Sequence, residues 1–144
     1  MSKRLKFAVF ALWLAVPLAA AAVESNPLVA ERWKTRPVVV VVPAPGDALL
    51  ARVESALRQT ATREAFLDRE MVLYTVVGGK GRRNGRALSA THTGALLNAL
   101  QLDPAGPPTF LLIGKDGGIK MTEGPDVDLQ AVFAEIDRMP MRRR

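Results

Sequence analysis

Residues 38–42 are five valines in a row, with Pro37 immediately before them. β-Branched side chains are stiff at χ1, which disfavours a helix, and they pack well on a pleated surface. A strand that is apolar at every position, rather than at alternate ones, has no face to offer water. The run therefore predicts a central strand covered on both sides, and so a sheet with helices on its two faces. Pro43-Ala44-Pro45-Gly46 ends it abruptly, because proline cannot donate to a continuing ladder.

The chain after this strand alternates. Asp47 is placed to cap a helix over about Ala48 to Gln59, whose inward stripe is Leu49, Leu50, Val53, Ala56 and Leu57. A further helical turn is expected over Arg63 to Arg69, with Phe66 and Leu67 inward. Met71 to Val77 reads as a second strand, and a helix between two such strands makes them parallel. Ser89 is a cap for a helix running to about Leu100, with Leu96, Leu97 and Leu100 inward. Pro107-Pro108 leads into a strand over Thr109 to Ile113. The turn Lys115-Asp116-Gly117-Gly118 folds it back onto Ile119 to Thr122. Leu129, Val132, Phe133, Ile136 and Met139 recur at helical spacing before Pro140. The order implies an α/β chain: a three-layer sandwich with a central mixed sheet of about four strands flanked by helices.

The first 22 residues have the form of a secretory signal: Lys3, Arg4 and Lys6, then an apolar stretch from Phe7 to Leu18, then the small residues Ala19 to Ala22. Cleavage there leaves a lead-in over 23–36 and one domain over 37–144, in the periplasm or secreted. The signal is the only membrane-seeking segment expected, and only before cleavage. The chain contains no cysteine, which removes thiol redox chemistry, thiolate metal ligation and disulfide stapling. The signal holds three of the six net positive charges, leaving about +3 on the rest. That is too little and too dispersed for a nucleic-acid stripe.

Few constellations carry chemistry. Gly78 to Arg86 reads as a flexible glycine-rich loop. In it Lys80, Arg82, Arg83 and Arg86 supply charge, and the glycines let backbone amides turn toward an anion. It lacks the spacing of a Walker A loop. His92 is the single histidine, so no zinc set can be built around it. Asp116, Asp126 and Asp128 have turn and cap positions rather than calcium-loop spacing. No nucleophile elbow is present. These readings give no catalytic residue, no metal and no cofactor. Trp33 is expected to pack against the edge of the domain.

Two resemblances sharpen this. Pro108-Thr109, an aliphatic strand and a Lys-Asp-Gly turn resemble the third strand of a thioredoxin fold. There the proline before the strand is cis and borders the active site, so the resemblance implies a thioredoxin-like sandwich with Pro108 at the site. Thioredoxins carry Cys-x-x-Cys between the first strand and its helix; here that segment is Pro43-Ala44-Pro45-Gly46-Asp47. Over the whole mature length the chain resembles the domain-of-unknown-function family 4174. It does so through Asn26-Pro27-Leu28, Arg32-Trp33-Lys34, Arg36-Pro37, Asp68 to Tyr74, Gly78-Gly79, Gly114 to Gly118 and Asp137 to Arg142. That family is similar to a peroxiredoxin-like domain of secreted animal proteins, including sushi-repeat-containing proteins and the coiled-coil-domain protein 80.

The function these features imply is an exported, non-catalytic binding module. It would hold a protein or an anionic envelope component through Lys80, Arg82, Arg83, Arg86 and the rim at Pro108. The competing expectation is a cysteine-independent enzyme, either a hydrolase or a cofactor-using oxidoreductase, for which no acid, base and nucleophile set is visible.

Overall fold

A computed structural model describes residues 26–142. The signal segment over 1–22 and the terminal Arg143 and Arg144 lie outside the described residues. A 3-10 helix, Pro27–Glu31, precedes β1 (Arg36–Val42), α1 (Ala48–Arg58), α2 (Thr60–Asp68) and β2 (Met71–Val77). Then come β3 (Lys80–Arg83), β4 (Arg86–Ala87), α3 (Ala90–Leu100), β5 (Thr109–Ile113), β6 (Ile119–Glu123) and α4 (Leu129–Asp137). The strands form one six-stranded mixed sheet in the order β4-β3-β2-β1-β5-β6. β1 and β2 are parallel and the other neighbours antiparallel.

The valine run does what its composition requires. Val38, Val40 and Val42 face a core shared with α1, α2 and α4, through Leu49, Val53, Phe66, Val132, Phe133 and Ile136. Val39 and Val41 face the opposite core, which holds Leu28, Tyr74 and, from α3, Leu96. β5 divides its residues the same way, Phe110 and Leu112 to the first core and Leu111 and Ile113 to the second. One sheet between two helical layers follows. The helices start where side-chain oxygens cap them: Asp47 accepts from Leu49 N at 2.9 Å, Ser89 from His92 N at 3.0 Å and Asp128 from Gln130 N at 2.9 Å. Each such cap contributes about 1 kcal/mol.

Four expectations need correcting. The sheet has six strands, not about four, because the segment read as a loop over Gly78 to Arg86 is a hairpin that widens the sheet beyond β2. Leu67 is 62% exposed rather than inward, because the α2 face that packs is set by Thr62 and Phe66. No peptide bond among the described residues is cis, so Pro108 is trans. Trp33 is 64% exposed and does not pack as an edge residue.

Candidate functional site

The glycines of Gly78 to Arg86 shape two tight turns. Gly78 and Gly79 have φ of 55° and 80° and join β2 to β3; Asn84 and Gly85 have φ of 47° and 80° and join β3 to β4. Two consecutive positive φ values in a two-residue connection are the mark of a type I′ hairpin turn. Asn84 also extends the pairing, accepting from Leu73 N at 2.9 Å and donating its own N–H to Leu73 O at 2.7 Å.

Strand alternation then separates the four cations. Lys80 and Arg82 pair with Val77 and Thr75 and share with Pro45 and Glu54 a groove on the α1 side of the sheet. Arg83 and Arg86 pair with each other on the opposite face. Arg83 is committed there: its Nε donates to Glu31 Oε1 at 2.6 Å, and its guanidinium lies 6.0 Å from the Tyr74 ring. The expected four-charge anion site is therefore not assembled. Pro108 belongs to neither group. It precedes Thr109, which pairs with Val41, so it lies at the end of β1 from which Pro43-Ala44-Pro45 departs.

Glu31 is the centre of a polar cluster that sequence reading missed. It is 6% exposed and also accepts from Tyr74 Oη at 2.8 Å and Thr35 Oγ1 at 2.6 Å. Burial pushes the Glu31 carboxyl up, but the hydrogen bonds from Arg83, Thr35 and Tyr74 outweigh it and hold the group below the usual carboxylate range. Burial, aided by the Glu31 hydrogen bond, pushes the Tyr74 hydroxyl up to about 12. Oε1 accepts from both Tyr74 and Arg83 and Oε2 from Thr35, so the carboxylate ties the 3-10 helix to β2 and β3.

A cleft of about 350 Å³ opens at the other end of the sheet. It is lined by Trp33, Arg36, Gly114, Lys115, Asp116, Lys120 and the run Met139-Pro140-Met141. β1 delivers Arg36, the β5–β6 turn delivers Lys115 and Asp116, and the segment after α4 forms the apolar wall. That wall is tied down by two ion pairs. Arg69 grips Asp137 with Nε at 3.1 Å and Nη2 at 2.7 Å, and Arg142 pairs with Asp68. Trp33 stands at the lip with φ of 65°, its N–H donating to Lys115 O at 2.7 Å. Glu70, beside the cleft, also has a left-handed backbone, with φ of 54°. A left-handed conformation costs an ordinary side chain roughly 1–2 kcal/mol, so two of them together have to be held by the surrounding contacts.

The charges of this cleft are unevenly matched. Arg36 is 2% exposed; it donates to Arg69 O at 3.0 Å and lies 3.7 Å from Glu70. Burial pushes the Arg36 guanidinium down from its ordinary value. Glu70 is hydrogen-bonded to Lys115, which holds its carboxyl low, and so one carboxylate serves two cations. Lys120 pairs with Asp116 at 2.8 Å. Among the described residues, no three His, Asp or Glu side chains lie together as a metal site would need.

A family model described as a domain of unknown function, DUF4174, matches residues 27–144. The chain belongs to that family. No curated protein sequence and no solved structure matches it. The DUF4174 match begins at Pro27, so the 3-10 helix, Glu31 and Trp33 lie within the matched region. The segments through which the sequence resembles the DUF4174 family are scattered along the chain, yet most meet at this one end of the sheet. Trp33, Arg36, Gly114, Lys115, Asp116 and Met139 to Met141 line the cleft, and Asp68, Arg69, Asp137 and Arg142 brace it. Asn26-Pro27-Leu28, with Leu28 in the second core, and Gly78-Gly79, shaping a turn at the far end, are the exceptions. Each segment alone reads as a turn or a surface pair; only the fold brings them together.

Proposed function

We propose that the chain is an exported, non-catalytic binding module on a thioredoxin-type scaffold, and that it holds its ligand in the cleft beside Trp33. The scaffold is supported by the inner strand order β2-β1-β5-β6, with β1 and β2 parallel and β5 and β6 a hairpin antiparallel to β1. Where such a scaffold carries its thiols, after the first strand, this chain has Pro43-Ala44-Pro45-Gly46-Asp47. With no cysteine in the sequence, the two-electron chemistry of that position is closed and a binding surface is what is left. Export is supported by the signal-like residues 1–22.

One observation carries the binding reading. Trp33 combines 64% exposure with a left-handed backbone, at the mouth of a partly apolar cleft. Exposing a large aromatic ring and straining its backbone both cost free energy, and neither contributes to the core. Strain held in place at a cleft is a recurrent property of ligand sites.

Trp13 and Trp33 are the two tryptophans, so in the full chain carrying Trp13→Phe the emission reports Trp33 alone. The low-mass fraction of periplasmic extract is expected to quench or shift that emission saturably. A folded protein whose emission no fraction alters rejects the cleft as a binding site. Mass measurement of the protein from the periplasm, expected to start near Val23, tests export separately.

A further inference from the structure

The cleft has a definite chemical preference built into it, and this inference rests on its being the binding site. Three cations, Arg36, Lys115 and Lys120, line the cleft, and a fourth, Arg32, packs on the turn beside it. Arg32 packs on Gly117, so closely that a Cβ there would sit 2.7 Å from Arg32 Nε. Against them stand the carboxylates of Glu70 and Asp116, and Asp137 also acts on Arg36. Glu70 is divided between Lys115 and Arg36, and it is 56% exposed, which weakens its hold on the buried guanidinium. Arg32 has no ion pair among the described residues. A guanidinium taken out of water is stable only when paired with charge and fully hydrogen-bonded. Arg36 donates to one carbonyl, its nearest carboxylate is Glu70 at 3.7 Å, and Asp137 acts on it from further off.

The remaining walls are apolar: the Trp33 ring on one side and Met139, Pro140 and Met141 on the other. Exposed aromatic rings stack on flat partners, and methionine adapts to the edge of a ring. A volume of about 350 Å³ lies at the small end of ligand pockets. It suits a molecule of one or two rings rather than a folded partner.

We propose that the cleft binds a small organic anion with a planar apolar body, its carboxylate, sulfonate or phosphate facing Arg36 and Lys115 and its ring lying between Trp33 and the Met139–Met141 wall. Arginine matches such oxyanions with two parallel donors, and in a site shielded from water the match is worth more than at an open surface.

Calorimetric titration of the full chain with 2-naphthoate, neutral 2-naphthamide and inorganic phosphate tests this. Naphthoate is expected to fill one site, with naphthamide and phosphate each weaker by about tenfold or more, the size of one charge-assisted hydrogen bond or one ring stack. Arg36→Gln is the sharpest variant, expected to remove the preference for acid over amide. Because Arg36 sits in the core, Lys115→Gln, at a half-buried turn residue, gives the same comparison outside it. Trp33→Asn is expected to weaken both ring ligands together. Equal affinity for acid and amide overturns the anion assignment and leaves the cleft as a binding site. Phosphate binding as tightly as naphthoate overturns the planar body. Failure of all three to bind overturns both the anion and the cleft, and binding unchanged in Trp33→Asn and Lys115→Gln places it elsewhere on the surface.

Discussion

Tyr74 donates its hydroxyl to Glu31 Oε1 at 2.8 Å, joining two residues 43 positions apart. The bond fastens the N-terminal 3-10 helix to the sheet, and Arg83 grips the same carboxylate from β3. Glu31 also holds the backbone that leads to the cleft, since the N–H groups of Lys34 and Thr35 donate to its carbonyl, each at 3.0 Å. Glu31→Ala leaves Arg83 and the buried Tyr74 hydroxyl without their acceptor. Removing one member of a buried pair costs roughly 3–5 kcal/mol, and Arg83 is 40% exposed, so about 3 kcal/mol is expected. Urea unfolding of the variant measures it. A loss under about 1 kcal/mol contradicts the role given to Glu31.

The same cluster sets a pH dependence at two ends. The Glu31 carboxyl titrates lower in the folded protein than in the unfolded chain. Its contribution is therefore present above the ordinary carboxylate pKa and is lost as pH falls through the lowered folded value. Tyr74 is displaced the other way, to about 12. The folded protein keeps this proton where the unfolded chain has released it, so stability falls as pH rises from the ordinary tyrosine value of about 10 toward the folded one. Tyr74 is the only tyrosine in the chain. Ultraviolet titration of the native protein thus isolates it, and an ionisation midpoint near 10 contradicts the buried hydrogen bond.

Gly81 is where the hairpin meets α3. A Cβ there would lie 2.3 Å from Thr93 Oγ1, itself held by a hydrogen bond to Ser89 O at 2.9 Å. Gly81→Ala is expected to cost about 1–3 kcal/mol, the range for overpacking a filled contact. Adding Thr93→Ala removes the nearest atoms. The double variant is expected to be more stable than the sum of the two single losses, by at least about 0.5 kcal/mol. Strict additivity in a urea-melt cycle argues against the clash.

Much of this architecture is legible in the sequence. Uniform valine gave a strand covered on both faces, and capped amphipathic stretches gave helices, because burial and capping leave local patterns. β3 and β4 were hidden because Lys80, Arg82, Arg83 and Arg86 have the composition of a solvated loop; the sheet edge overrides propensity there. One local signal was available, since Asn84-Gly85 between short flanks is the preferred type I′ pair. Glu31 offered none. Its partners Tyr74 and Arg83 are 43 and 52 residues away, and nothing near Glu31 in the chain marks it as buried. The size of Trp33 points to packing, but its exposure accompanies a left-handed backbone that residue identity does not announce.

The four cations of the hairpin should behave as two classes. Lys80, Arg82 and Arg86 are exposed and make no ion pair among the described residues, so their alanine variants are expected to stay within about 0.5 kcal/mol of the parent. Arg83→Ala strips Glu31 of a 2.6 Å charge-assisted bond, and about 1–2 kcal/mol is expected after allowing for its partial exposure. Thermal melts of the four variants separate the classes. Four equal losses contradict the commitment of Arg83 to Glu31.

Trp33→Asn gives the clearest separation of stability from binding. Truncating a large aromatic in a core costs roughly 3–5 kcal/mol. Here the ring is mostly in solvent and its backbone sits at φ 65°, where asparagine is tolerated far better than tryptophan. The relief of strain opposes the lost contact, and the variant is expected to lie between parity and a gain of about 1 kcal/mol. The Trp33 N–H to Lys115 O bond is made by the backbone and survives the change. Denaturant unfolding gives the stability, and titration with an aromatic carboxylate gives the binding. A side chain kept for the fold would lower the first and leave the second alone; the expected outcome is the reverse, with stability held and affinity lost.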